Sequence, residues 1–176
     1  MKIKAIVLLS GFCLLASEAC NHQKPKPLSN DITKTTVAVD GKKDSVINNP
    51  QKNYGNATVS EPCVKCLMEI IHATNNYKLI TASVPSQNIS YEVNWITSSK
   101  PVDIGNGAKI TNGMAVDISI KDAGKQKKWI SYLYNNENSL IYLRNDANND
   151  IAEEEIGVTS LQKIRNSCFW GVASAK

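Results

Sequence analysis

Residues 60–72 read Ser-Glu-Pro-Cys-Val-Lys-Cys-Leu-Met-Glu-Ile-Ile-His, and this stretch sets the organisation of the whole chain. It begins the part of the sequence in which apolar residues recur regularly. Ser60 can cap the N-terminus of a helix, and Glu61 and Pro62 suit its first turn. The sequence therefore predicts a folded domain that starts with a helix, which ends near Asn75.

The two cysteines of this helix are expected to face the core. At the helical period, Cys63 and Cys66 share one stripe with Leu67 and Ile70. His72 falls on the opposite side, which we expect to face solvent. The helix therefore presents a Cys-x-x-Cys pair to the core and a histidine to water.

The segments that follow indicate strands and a second helix. Alternation of apolar and polar residues is typical of half-buried strands, and β-rich segments around a short polar turn indicate a hairpin. The predicted strands are residues 77–84, 89–95, 114–121, 128–134 and 139–145, with a weaker one near 102–104 or 108–110. The second helix is predicted from about Thr159 to Phe169, with Leu161, Ile164 and Cys168 on one face.

These elements predict an α+β fold for residues 60–176. We expect an N-terminal helix, a four- or five-stranded, mostly antiparallel sheet and a C-terminal helix, with both helices packed on one sheet face. Residues 20–59 are rich in Asn, Lys, Thr and Ser and show no sustained period. Because such a segment cannot bury enough apolar surface to offset its ordering entropy, we interpret it as a flexible polar tether.

The cysteines allow three interpretations. A disulfide from Cys63 or Cys66 to Cys168 would clasp the first helix to the last, and a local Cys63–Cys66 bond is a variant of it. A thiol-disulfide oxidoreductase would use Cys63-x-x-Cys66 at the helix N-terminus, but no buried strand precedes the motif. A zinc site would need His72, which points away from the cysteines. We favour the clasp and predict no metal.

The N-terminus has the pattern of a secretory signal peptide, which we assign to residues 1–19. Residues 1–4 include two lysines, and residues 5–16 form an apolar run that is too short to span a bilayer. Small residues then precede Cys20 at the expected cut. Export places the protein in an oxidising compartment, where disulfides are expected.

Cys20 directly after this cut resembles the lipidated cysteine of bacterial lipoproteins, although Ser17 and Glu18 stand where the lipobox usually has Leu and a small residue. Residues 21–27 are polar and interrupted by proline, like a lipoprotein spacer. The resemblance implies a fatty-acylated (palmitate-bearing) diacylglyceryl group on Cys20 and a place in the cell envelope, anchored to a bacterial membrane. It implies nothing about the folded domain.

Charge and residue inventory exclude several functions. The net charge is +4, yet the chain from Ser60 onward carries twelve basic and twelve acidic residues, so no basic face for nucleic acid is expected. The only histidines are His22 and His72, and no Gly-x-Ser-x-Gly is present. We therefore predict no catalytic residues and no cofactor.

Two further features leave alternatives open. Asp146, Asn148 and Asp150 resemble the first positions of a calcium loop, but Ile151 stands where that loop needs glycine. Tyr132 and Tyr134 share one strand face, which is either core or a protein-binding surface. The acidic loop from Asp146 to Glu155 is more simply a solvated turn.

The residues predict an exported protein with a non-catalytic binding module, and the resemblance to lipoproteins implies a lipid anchor in the cell envelope. A protein partner, an inhibitor target or an immunity-like role would suit it. Thiol-disulfide chemistry at Cys63 and Cys66 is the alternative.

Overall fold

The structure, a computed structural model, describes residues 32–39, 41–53, 56–122 and 124–168, and only the backbone of residues 97–99. The described residues form one seven-stranded sheet whose order follows the chain. The strands are β1 (Thr33–Val39), β2 (Lys42–Asn48), β3 (Ile89–Gly105), β4 (Ala108–Asp122), β5 (Lys125–Asn135), β6 (Leu140–Asn145) and β7 (Ile151–Glu153). The α-helices are α1 (Glu61–Ala73), α2 (Asn75–Thr81) and α3 (Val158–Ser167).

The sheet is antiparallel at every junction but one. Strands β2 and β3 run parallel, with Val46 opposite Tyr91. Because parallel neighbours need a crossover connection, α1 and α2 lie in the chain between these two strands. The crossover brings the β1–β2 hairpin beside the start of β3.

The main core lies between the sheet and helices α1 and α3. Helix α1 buries Cys63, Val64, Cys66, Leu67, Met68, Ile70, Ile71 and His72. The opposing sheet face contributes alternate residues of β3, β4 and β5: Tyr91, Val93, Trp95, Met114, Val116, Ile118, Ile130, Tyr132 and Tyr134. Tyr132 and Tyr134 therefore belong to the core, and the alternative of an exposed tyrosine face is excluded.

A smaller apolar cluster covers the other face of the sheet. It contains Ile104, Ile110, Leu133 and Ile151. The tip of the β3–β4 hairpin reaches β7, where Asn106 donates a hydrogen bond to the Ile151 carbonyl (3.0 Å). Both faces of the central strands are thus partly buried.

The predicted four- or five-stranded sheet with terminal helices is wrong, although the fold remains α+β-like. The sheet has seven strands among the described residues, and two of them come from the segment interpreted as a tether. Each of those two strands buries one valine, Val37 and Val46, against the core. Residues 46–48 of β2 pair with β3 and so add this polar hairpin to the sheet, a pairing that apolar periodicity could not indicate.

The strand predicted at residues 77–84 is also wrong, because α2 occupies most of it. The hydroxyl of Thr74 accepts a hydrogen bond from the Tyr77 amide (3.2 Å) and so caps α2 immediately after α1 ends. The alternating segments of β3 to β6 and the two predicted helices are confirmed within longer or slightly shifted bounds.

The predicted signal peptide and Cys20 lie outside the described residues. Within the described part of the chain, no helix is long and apolar enough to cross a bilayer.

Candidate functional site

A pocket of about 310 Å³ opens where the β1–β2 hairpin, α2 and the start of β3 meet the end of α1. Its lining is Val39, Lys42, Asp44, His72, Tyr77, Lys78, Thr81, Ala82, Val84, Ser86, Ile89 and Tyr91. The volume is at the lower end of the range for small-molecule sites.

Three stacked and hydrogen-bonded rings form the floor of the pocket. The imidazole of His72 stacks on the ring of Tyr77 with centroids 4.3 Å apart, and it lies 5.7 Å from the ring of Tyr91. The two phenol oxygens are 2.6 Å apart, so they share a hydrogen bond. All three residues are less than a tenth exposed. The floor is therefore buried and aromatic, with a hydrogen-bonded pair of phenols at its centre.

Asp44 supplies the negative charge of the pocket. Its carboxylate lies 3.8 Å from Nε2 of His72, an approach too long for a direct hydrogen bond. Burial raises the pKa of Tyr77 and of Tyr91, and the nearby Asp44 charge raises both further. Both phenols consequently stay neutral, and they act as hydroxyl donors and acceptors.

The rim of the pocket carries two lysines, Lys42 on β2 and Lys78 on α2, and both are exposed. Among the described residues, neither ammonium forms an ion pair. The side walls between rim and floor are largely aliphatic, from Val39, Val84 and Ile89. The pocket thus has a positively charged mouth, aliphatic walls and an aromatic floor.

A tight helix junction places His72 and Tyr77 against each other. Thr74 donates from its hydroxyl to the Ile71 carbonyl (2.8 Å) at the end of α1. The same oxygen caps α2. Because the two helices are separated by this one residue, the side chain of Tyr77 folds back onto the imidazole of His72.

The expectation that His72 faces solvent is wrong, since the residue is only 8% exposed. It does lie away from the Cys63 stripe, as its helical position requires. What covers it is the hairpin that contributes Asp44 and the helix that contributes Tyr77. The sequence analysis missed the site because it interpreted the hairpin segment as a tether and predicted a strand where α2 lies.

Cys63, Cys66 and Cys168 lie in the core and do not line this pocket. Cys63 and Cys168 form a disulfide that joins residues 105 apart and ties α1 to the end of α3. This confirms the predicted disulfide and selects Cys63 over Cys66 as the partner of Cys168. Cys66 is free and buried, and burial raises the pKa of its thiol.

Asp146, the first residue of the acidic loop, belongs to a network of hydrogen bonds and ion pairs on the sheet face that points away from α1. The Ser131 hydroxyl lies 2.9 Å from oxygens of both Asp117 and Asp146. Lys128 and Arg144 balance these two carboxylates. In the described ranges, no three metal-ligating side chains converge, so neither the zinc nor the calcium alternative gains support.

No protein-family model matches the chain, and no curated protein or solved structure matches it. The function therefore has to be inferred from the geometry of the pocket and from the chemistry of the cysteines.

Four buried tyrosines predict a marked loss of stability at high pH. Burial raises the pKa of Tyr77, Tyr91, Tyr132 and Tyr134 above the ordinary phenol value of about 10. Above that pH the unfolded chain releases protons that the folded chain retains, so stability falls by up to about 1.4 kcal/mol per pH unit for each phenol.

Phenolate absorbance and circular dichroism, followed together against pH, test this expectation. The absorbance of the four buried phenols should rise only as the fold is lost, and Tyr91→Phe should remove one phenol from that step. Ionisation of all four in a chain that keeps its native dichroism would contradict the burial described above.

Proposed function

We propose that the chain is a lipid-anchored, non-catalytic binding protein of the bacterial cell envelope, which holds a small ligand in the pocket around His72. The observation that carries this proposal is the pocket itself. Its floor is preformed by the Tyr77–Tyr91 hydrogen bond and the His72 stack, and it is open to solvent at the lysine rim. Preformed pockets with an apolar wall and a few polar groups are typical small-molecule sites.

The state of the cysteines supports binding over thiol chemistry. Cys63 is fully buried in its bond to Cys168, and Cys66 is 4% exposed. A thiol-disulfide enzyme needs an accessible cysteine with a lowered pKa, whereas burial raises the pKa of the Cys66 thiol. The Cys-x-x-Cys spacing here serves a disulfide to α3 and not a redox pair.

The proposed location in the cell envelope rests on the predicted signal peptide and on Cys20, with support from the disulfide. A buried disulfide between α1 and α3 suits an oxidising compartment such as the periplasm or cell surface. A diacylglyceryl group on Cys20 would hold the domain at a membrane, and residues between Cys20 and Thr33 would act as the spacer.

Occlusion of the pocket is expected to remove the ligand. Ala82 is exposed and lines the mouth, so Ala82→Trp places a large ring across the opening without disturbing the core. Protein isolated from the envelope fraction would be measured by native mass spectrometry for a bound small molecule. After denaturation, the same sample gives the mass of the lipid on Cys20.

Ala147→Trp is the matched control, because Ala147 is exposed in the turn between β6 and β7, away from the pocket. We expect a bound molecule in the wild type and the control, and none in Ala82→Trp. A wild-type protein that carries no small molecule, or an Ala82→Trp variant that still carries it, would contradict the proposed pocket function. A mature mass without lipid would contradict the anchor alone.

A further inference from the structure

We infer that the ligand of this pocket is a small organic acid, with one oxyanion group held by Lys42 and Lys78 and an apolar body held between the aliphatic walls. The inference rests on the proposed function and adds the chemical class of the ligand. It follows from the charges, the hydrogen-bond donors and the shape of the pocket.

The charges that line the pocket favour an anion. Lys42 and Lys78 contribute two positive charges, and Asp44 contributes one negative charge. Asp44 lies beside His72 in the wall, while neither lysine has an ion-pair partner among the described residues. An incoming oxyanion would therefore meet two ammonium groups that form no ion pair with any described residue. Ammonium–oxyanion hydrogen bonds are stronger than neutral ones.

The neutral polar groups add hydrogen-bond donors at the rim and at the floor of the pocket. Tyr77 and Tyr91 have one hydroxyl hydrogen each, and the hydrogen bond between the two phenols uses one of these hydrogens. The other hydrogen is not used by that bond. Ser86 adds a hydroxyl at the rim. Since burial and the Asp44 charge keep both phenols neutral, the floor retains this donor at any physiological pH.

The walls indicate an apolar body attached to the acid group. Val39, Val84 and Ile89 line the space between the lysine rim and the aromatic floor. The volume of about 310 Å³ admits a single ring or a short chain. An inorganic anion alone would leave these walls unfilled, so its binding would not use most of the pocket.

Matched pairs of an acid and its neutral amide test the ligand class on the full-length, disulfide-bonded protein. Titration calorimetry would compare benzoate with benzamide, and hexanoate with hexanamide. We expect each acid to bind about tenfold more tightly than its amide. Lys42→Gln and Lys78→Gln should each weaken the acid about tenfold and leave the amide unchanged.

Lys121→Gln is the matched control, because this lysine is exposed on β4 and does not line the pocket. It should leave both affinities unchanged. Equal binding of acid and amide, failure of both acids to bind, or acid binding insensitive to Lys42→Gln and Lys78→Gln would each overturn the inference. If native mass spectrometry then finds a neutral molecule bound in the pocket, the proposed function stands and only the ligand class fails.

Discussion

Replacing Cys168 by alanine is expected to lower the free energy of unfolding by about 4–5 kcal/mol, because the Cys63–Cys168 bond closes a loop of roughly 100 residues in the unfolded chain. The bond joins the first turn of α1 to the residue after α3. Without it, α3 would be held by the packing of Ile164, its one fully buried residue, and by the exposed ion pair between Lys163 and Glu69 of α1. Urea denaturation followed by circular dichroism measures the loss.

Cys66→Ala is the matched control, because it removes a buried sulfur that forms no disulfide. Cys66 is buried but unbonded, so this change should cost only about 1 kcal/mol. Equal effects of Cys168→Ala and Cys66→Ala would contradict the assigned pairing. A loss on Cys66→Ala with none on Cys168→Ala would mean that the helices are not joined through Cys168.

Replacing Gly113 by alanine is expected to cost about 3 kcal/mol, because the added methyl group has no room. A Cβ at this position in β4 would overlap the backbone carbonyl of Tyr134 and press on the side chain of Ile110. A carbonyl inside the ladder cannot move aside as a side-chain end can. The strand pairing that brings the β3–β4 tip across the second face would therefore have to shift.

Gly157→Ala supplies the comparison for this substitution. Gly157 precedes α3 with φ −60°, and a Cβ there meets nothing within 4 Å. It should leave the denaturation midpoint nearly unchanged. If Gly113→Ala proves as harmless as Gly157→Ala, the close approach of β4 and β5 at this point is wrong.

The elements with strong periodicity were the ones that the sequence predicted well. Tyr91, Val93 and Trp95 alternate with polar neighbours, and each lies in the core as expected. Helix α1 and the disulfide followed from the shared stripe of Cys63 and Cys66. In these segments, the residues that the apolar periodicity places on the buried face are the ones that the fold buries, so the periodicity was sufficient to predict them.

The site escaped sequence reasoning because tertiary contacts created it. Among the described residues of the β1–β2 hairpin, the buried apolar ones are Val37 and Val46, too few to distinguish the segment from a tether. Tyr77 belongs to a β-rich segment, but the Thr74 cap and the following turn of helix override that preference. His72 could not be identified as a pocket residue until both covering elements were in place.

The imidazole of His72 reports directly on occupancy of the pocket, since the chain contains only one other histidine, His22. Histidine ring resonances can be followed by NMR, with His22→Gln to assign them. Addition of an acid that binds by calorimetry, or of the ligand recovered from the envelope, should shift the His72 resonances in proportion to binding and leave those of His22 in place. Saturation of the protein with His72 unmoved would show that the ligand binds elsewhere and that this pocket is not the functional site.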